Sequence, residues 1–467
     1  MRDKRWLALF VLCLGTLMIV LDTTIVNVAL PSIRESLGFT QTALAWVVNA
    51  YVLTFGGFLL LGGRLGDLYG NRRLFVLGIT LFTLASLACG LAQSQTFLII
   101  ARAIQGLGGA VVSAVGLSLV MNLFVEETER ARAMGVFGFV AAGGGAIGVL
   151  LGGILTGGLN WHWIFLVNIP VGILVVALCL WLIPESHAAE KTHLDVGGAV
   201  TVTLALMLAV YSIVGGNEAG WTSLTTIGLL VLSAVFLGIF IWIESVVKAP
   251  LAPLRLFTRG NIVASNIAGI LWSAGMFAWF FLSALYMQLI LGYTPLQVGL
   301  AFLPSNLIMA ALSVGLSARI VMRFGIRASL ATGLSLVALG LLLLSRAPID
   351  GSFVRDLLPS MTLLGLGAGI SFNPMLLAAM SDAEQKDSGL ASGVVNTAFM
   401  MGGSLGLAIL ASAAAARTES LRGSGANMLA ALNGGYQHAF LIGFCFVALA
   451  ALVAAFGLRS KTVTAQN

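Results

Sequence analysis

Apolar runs of about 20 residues, separated by short polar segments, recur along the whole chain of 467 residues. One such run is long enough for an α-helix to cross the hydrocarbon core of a bilayer, which is about 30 Å thick. Hydrophobic residues make up 59% of the chain and charged residues only 9%, too few polar groups to cover a soluble globule. In lipid the backbone must pair internally, and the runs do not alternate as barrel strands would. The sequence therefore predicts an all-α integral membrane protein with about 14 transmembrane helices.

The basic residues between these runs are sorted by side of the membrane. If the runs cross alternately, 18 of the 24 lysines and arginines fall on the side of the N-terminus, five on the opposite side and one, Arg102, inside a run. Cytoplasmic segments carry such an excess of positive charge. The sorting explains the net charge of +6 better than nucleic-acid binding does. It predicts a multi-pass protein of the bacterial inner membrane with both termini in the cytoplasm.

Two segments that each follow an apolar run match each other at an offset of 255 residues. GRLGDLYGNRR at 63–73 and ARIVMRFGIRA at 318–328 share two arginines and a glycine: Arg64, Gly70 and Arg72 in the first, and Arg319, Gly325 and Arg327 in the second. Internal duplication is typical of secondary transporters, whose halves rock about a central site. We therefore predict six-helix bundles at 1–184 and 251–467, with an inserted helix pair at 185–250.

Two charged residues fall within apolar runs. Asp22 lies about 15 residues into the first run, roughly 22 Å along a helix. Arg102 enters near the outer end of the fourth run, at a similar depth. An ionisable group there costs about 3 kcal/mol on insertion scales, so a partner or a protonation role is expected. The alternatives are a solvated carboxylate in an aqueous vestibule and an arginine that reaches the outer headgroups.

Seven segments then point to one family: LDTTIVNVALP at 21–31, GRLGDLYGNRR at 63–73, ARAIQGLGG at 101–109, WHWIFLVNIPVG at 161–172, LYMQLILGYTPLQVG at 285–299, GLGAGISFNP at 365–374 and SGVVNTAFMMGGSLG at 392–406. Together they resemble the 14-span drug:proton antiporter family of the major facilitator superfamily. The resemblance covers nearly the whole chain and implies the major facilitator fold with two extra helices. It implies that Asp22 carries protons, and the spacing of Arg102, Gln105 and Gly106 resembles the family's proton-transfer motif.

The resemblance also assigns a conformational switch to the segment at 63–73. The matching residues are Gly63, Arg64, Asp67, Gly70, Arg72 and Arg73. In the family the acidic residue joins a cytoplasmic charge network that closes the outward-open state. Here Leu68 stands where the family has a basic residue, so the network would depend on the other arginines. The alternative is a solvated segment that only obeys the positive-inside rule.

The fifth run is dense in glycine, and Gly148, Gly152 and Gly153 resemble the family's antiporter motif. The usual proline of that motif is Val149 here, so the helix would bend less, or would bend at 143–145. Ordinary close packing of small residues explains the glycines about equally well.

Polar and aromatic residues inside the runs are candidates for a substrate cavity. We select three asparagines, two glutamines, a tryptophan and a phenylalanine: Asn27, Asn306, Asn396, Gln105, Gln288, Trp272 and Phe399. Together they suit an amphipathic aromatic cavity that encloses a lipophilic molecule. Interhelical packing and hydrogen bonding are the alternative reading of each one.

The leading hypothesis is a monomeric exporter of lipophilic or cationic drugs, biocides or antibiotics, driven by protons. A dedicated exporter of one metabolite, siderophore or self-made antibiotic is the alternative, and uptake remains open. An enzyme or receptor is disfavoured, since no catalytic motif is present. No lysine follows a glycine, which excludes a phosphate-binding loop for ATP in this chain. No cofactor or metal is expected; the partners are the small-molecule substrate, protons and the lipid bilayer.

Overall fold

The computed structural model describes residues 2–124, 126–183, 195–248, 250–251, 260–312, 316–380 and 388–458. Within these ranges all regular structure is helical, with 15 α-helices and short 3₁₀ and π-helical turns. The predicted all-α class is therefore confirmed. The predicted boundary near residue 184 lies outside the described residues.

Most of the helices are long. Their bounds are α1 (Arg2–Leu37), α2 (Trp46–Tyr69), α3 (Asn71–Gly90), α4 (Gln95–Leu123), α5 (Glu127–Gly158), α6 (Trp163–Leu166), α7 (Asn168–Leu182), α8 (Val196–Ala219), α9 (Leu224–Val246), α10 (Gly260–Leu289), α11 (Pro295–Ala311), α12 (Ser317–Leu344), α13 (Leu358–Met380), α14 (Ser388–Gly423) and α15 (Met428–Gly457).

Twelve of the described helical segments are long and apolar enough to cross a membrane. Two shorter apolar helices, Gly143–Gly158 within α5 and Pro295–Ala311, fall below that length. These segments agree with a polytopic membrane protein, because helices satisfy their backbone hydrogen bonds internally in lipid.

The segment at 63–73, which the sequence places after an apolar run, is mostly helical. Helix α2 continues to Tyr69, and α3 begins at Asn71. Gly70 alone connects them, with φ of 91° and ψ of 126°. A positive φ is accessible to glycine and strained for other residues, so the sharp turn depends on this residue.

The matching segment in the second half repeats this backbone turn. Gly325, which aligns with Gly70, has φ of 80° and ψ of 164° and interrupts α12. The sequence match at 318–328 therefore extends to the conformation of the chain.

The described chain divides into two compact units. Unit 1 contains Met1–Leu208 and Val231–Leu251, and unit 2 contains Ala209–Leu230 and Ala252–Asn467. Helices α8 and α9 thus contribute segments to both units. In unit 1, α4 packs on α2 and α3 while α1 packs on α5 and α7; in unit 2, α10 packs on α14 and α15 while α12 packs on α13 and α15.

Glycines allow helix backbones to approach closely within each unit. In unit 1 a Cβ added to Gly108 would lie 2.9 Å from the carbonyl oxygen of Gly78. In unit 2 a Cβ added to Gly367 would lie 2.5 Å from the carbonyl oxygen of Gly333, which follows Gly78 by the same 255 residues. Small residues at such crossings are the usual means of packing membrane helices.

Candidate functional site

Asp22 is fully buried on α1 and forms an ion pair with Arg102 of α4. Arg102 Nη1 donates to Asp22 Oδ2 at 2.5 Å. Both alternatives considered from sequence, a solvated carboxylate and an arginine extended to the headgroups, are contradicted, because the two side chains are 0% and 1% exposed. Mutual neutralisation offsets the cost of placing two charges in an apolar medium.

The guanidinium of Arg102 has further partners besides Asp22. Its Nη1 also donates to Gln105 Oε1 at 2.7 Å, and its Nε donates to the carbonyl oxygen of Val47 at 2.9 Å. The Tyr51 ring lies 4.4 Å from the guanidinium carbon and the Phe165 ring 5.6 Å away. Aromatic faces at these distances attract a desolvated cation. Arg102 therefore keeps favourable contacts independent of the Asp22 carboxylate.

Two amides complete the environment of Asp22. Gln105 Nε2 donates to Asp22 Oδ1 at 2.8 Å, and Asn168 Nδ2, at the start of α7, donates to the same oxygen at 3.2 Å. Ser86 Oγ on α3 accepts from both amides, at 3.2 Å from Gln105 and 3.0 Å from Asn168, and donates to the Phe165 carbonyl at 2.9 Å. We refer to Asp22, Arg102, Gln105, Asn168 and Ser86 as the carboxylate network.

The carboxylate network connects α1, α3, α4 and α7 and includes residues that sequence reasoning missed. Asn168 stood in the segment WHWIFLVNIPVG without a role, and Ser86 was not singled out. A polar residue in an apolar run was the available signal for Asn168. For Ser86 that signal is weak, since serine is common in membrane helices. Gln105, predicted for the substrate cavity, lies in this network.

The residues of the predicted switch segment divide between α2, the Gly70 turn and α3. Gly63 and Arg64 lie on α2 and are half-buried. Arg72 Nη2 donates to the carbonyl oxygen of Leu180 at 2.6 Å, near the C-terminal end of α7, and Arg73 is exposed. An arginine there complements the partial negative charge of a helix C-terminus. The side chain of Asp67 lies outside the described residues, so its charge network stays a prediction.

The predicted antiporter-motif glycines place α5 directly against the turn of α1 that carries Asp22. A Cβ on Gly148 would overlap Thr24 Oγ1 and lie 3.0 Å from the Leu21 carbonyl oxygen. A Cβ on Gly152 would lie 2.7 Å from the Ile25 carbonyl oxygen. Gly153 and Val149 are buried in the same helix, which is continuous from Glu127 to Gly158. These contacts support close packing as the role of Gly148 and Gly152.

We predict that Gly152→Ala impairs the protein while Gly143→Ala does not. The added methyl group of Gly152→Ala would meet backbone, which cannot rotate away, so a loss of about 1–3 kcal/mol is expected from overpacking. Among the described residues, a Cβ on Gly143, on the same helix, meets no atom within 4 Å. Thermal unfolding of the purified variants in detergent checks this, and equal unfolding midpoints for the two would contradict it.

The predicted cavity residues fall in both units. In unit 1, Asn27 is buried and donates to the carbonyl oxygens of Thr23 and Thr24 on its own helix. In unit 2, Asn306 donates in the same way to Phe302, while Gln288 and Asn396 are half-buried. No common site for all seven residues follows from these contacts.

Trp272 and Phe399 do lie together, on α10 and α14. Their ring centroids are 5.6 Å apart, and Phe372 on α13 lies 6.1 Å from Trp272. Among the described residues, the indole N–H of Trp272 is buried without a hydrogen-bond acceptor. A buried donor beside aromatic faces suits an amphipathic ligand.

Comparison with known proteins agrees with this architecture of apolar helices. The family model described as Major Facilitator Superfamily matches residues 12–407. The chain is 36% identical over 445 residues to the puromycin resistance protein pur8 of Streptomyces alboniger, covering 95% of this chain and 88% of that protein. It is 37% identical over 407 residues to the cephamycin export protein CmcT of Amycolatopsis lactamdurans, covering 86% and 84%.

A third relative is the multidrug resistance protein Stp of Mycobacterium tuberculosis, 36% identical over 418 residues, covering 89% of this chain and 77% of that protein. This chain belongs to the major facilitator superfamily and is a multi-pass membrane transporter. The expected family is confirmed, and the competing enzyme hypothesis receives no support from these relatives.

Proposed function

We propose that this transporter exports lipophilic or cationic small molecules in exchange for protons, by alternating access. The observation that carries the proposal is the fully buried pair of Asp22 and Arg102. A carboxylate inside the membrane costs free energy and is retained mainly where it serves ion or proton transfer. A charge pair that protonation of one partner would weaken is suited to linking proton binding to helix movement.

The proposed topology has 14 spans with both termini in the cytoplasm of a bacterial inner membrane. Two apolar helices, Gly143–Gly158 and Pro295–Ala311, would join the 12 longer segments. The first is part of a 32-residue helix, and the second has 17 residues. Seventeen residues are at the short end of what crosses a bilayer. The 18-to-5 distribution of basic residues favours the same count and orientation.

In this proposal the transporter is a monomer, and its two six-helix bundles move during transport. Helices α8 and α9 are an inserted pair. Only 6% of the residues in the apolar part of α9 are buried within the protein, as expected of a helix that faces lipid. The residues at 63–73 would act as the cytoplasmic switch between conformations.

The names of the relatives support antibiotics or similar compounds as substrates. One relative is named for cephamycin export and another for multidrug resistance. The aromatic contact of Trp272, Phe372 and Phe399 is compatible with either a broad or a narrow lipophilic specificity. A dedicated exporter of one antibiotic is therefore the second candidate, favoured by the similarity to the cephamycin export protein.

A transport assay in inverted membrane vesicles tests the proposal. Vesicles that contain the transporter are energised to an acidic interior and given a panel of lipophilic cations, biocides and antibiotics, including ethidium, puromycin and a cephamycin. We expect accumulation of at least one compound, release of protons on its addition, and collapse of both signals with a protonophore. Accumulation that persists after the proton gradient is collapsed would contradict proton exchange, and uptake of one compound alone would favour the dedicated exporter.

A further inference from the structure

The two oxygens of the Asp22 carboxylate are held by different groups. Oδ2 accepts from the charged Arg102, whereas Oδ1 accepts from the neutral amides of Gln105 and Asn168. All three partners that the structure gives to Asp22 are N–H donors. Oδ1 therefore has both lone pairs engaged, whereas Oδ2 accepts one hydrogen bond and keeps a lone pair for a proton.

The orientation of the Asn168 amide is determined by its neighbours. The hydroxyl of Ser86 donates to the Phe165 carbonyl, so its oxygen is available to accept from the Asn168 N–H group. A flipped amide would point its oxygen at both the Ser86 oxygen and the Asp22 carboxylate, replacing two hydrogen bonds by contacts between acceptors. Asn168 is 3% exposed.

The helix that carries Asn168 is itself fixed against α3. A Cβ added to Gly172, one turn further along α7, would overlap the Thr83 hydroxyl. This close approach brings Asn168 within reach of Ser86, which lies one turn from Thr83 on α3. The amide therefore reaches Asp22 from a rigid helix pair rather than from a mobile segment.

We propose that Asn168 is a positioning residue for proton exchange: with Gln105 it holds Oδ1 and leaves Oδ2, the oxygen facing Arg102, to take the proton. This inference rests on the proposed proton exchange. The proton binds a lone pair of Oδ2, the carboxylate becomes neutral, and Arg102 stays charged. Arg102 retains Gln105 Oε1, the Val47 carbonyl and the Tyr51 face, so its charge keeps partners after Asp22 is released.

Infrared titration of the purified full-length transporter in detergent tests the inference without a substrate. A protonated carboxyl group gives a C=O stretching band. The band that the wild type shows and Asp22→Asn lacks is assigned to Asp22. In Asn168→Leu we expect this band to appear at a pH higher by about one unit, because a carboxylate that loses an N–H donor is less favoured over its neutral form. In Asn168→Asp the displacement should be larger, since two adjacent carboxyl groups share one proton.

Asn122→Leu is the matched control, because Asn122 is an exposed asparagine on α4. Its titration should equal that of the wild type. An Asp22 band that titrates identically in both Asn168 variants and the wild type would overturn the inference while leaving proton exchange intact. The absence of any titrating band lost in Asp22→Asn would instead overturn the proposed function as well. The nearly isosteric Asn168→Asp keeps the test valid if Asn168→Leu does not fold.

Discussion

Asp22→Asn is expected to reduce proton-coupled export to the level of vesicles without the transporter. Asparagine cannot take up and release a proton, so the cycle lacks its exchangeable group. The variant should still insert and fold, because a neutral side chain beside Arg102 corresponds to the protonated state of the proposed cycle. Arg102 keeps the Gln105 oxygen and the Val47 carbonyl as acceptors. Substrate-induced proton release in inverted vesicles measures the loss.

Asp350→Asn is the matched control, because Asp350 is exposed and lies outside the helices. Its transport rate should equal that of the wild type. Amounts of both variants in the membrane are compared by quantitative immunoblot, and folding by elution as a monodisperse species. Export by Asp22→Asn that still depends on the proton gradient would contradict the role assigned to the carboxylate.

Arg102→Met is expected to destabilise the protein by about 3–5 kcal/mol, the usual result of removing one partner of a buried ion pair. The Asp22 carboxylate would lose its countercharge, and the Val47 carbonyl and Gln105 would each lose a donor. In the double variant Asp22→Asn/Arg102→Met neither charge remains. We therefore expect a destabilisation smaller than the sum of the two single effects by about 1–3 kcal/mol. Unfolding in detergent, followed for all four proteins, supplies the double-mutant cycle.

Arg346→Met, at an exposed arginine after α12, is the control for loss of charge alone. Arg346→Met should leave the midpoint of unfolding unchanged. In combination with Asp22→Asn, the two changes in the free energy of unfolding should be additive. Strict additivity of Asp22→Asn and Arg102→Met would mean that the observed contact contributes nothing to stability.

The glycines of α5 change the physical interpretation of the antiporter motif in this chain. The loss of its proline, at Val149, suggested an altered bend. Separately from any bend, Gly148 and Gly152 bring α5 onto the Leu21 and Ile25 carbonyls, on either side of Asp22. The motif thus supports the helix turn that carries the carboxylate, a role for which glycine is required and proline is not.

The helices could be predicted from sequence because a chain segment in the membrane has to form a helix to pair its backbone groups. Each apolar run must satisfy its own backbone, so its length and hydropathy reveal its helix. The ends were predicted less well: α2 continues six residues beyond residue 63 to Tyr69. Helical hydrogen bonds remain available outside the apolar region, so hydropathy does not show where a helix ends.

Asp22 and Arg102 could be singled out for the same reason, since a charge in an apolar run is costly wherever it lies. Hydropathy alone could not identify Ser86 and Asn168 as their partners. Serine and asparagine are inexpensive in membrane helices, and these two lie 64 and 146 residues from Asp22 in the chain. Only the packing of α1, α3, α4 and α7 brings these donors and acceptors within hydrogen-bonding distance. The sequence by itself determined the membrane helices and the buried charges. The tertiary structure decided which groups surround the Asp22 carboxylate, because hydrogen bonding depends on distances that residue spacing does not encode.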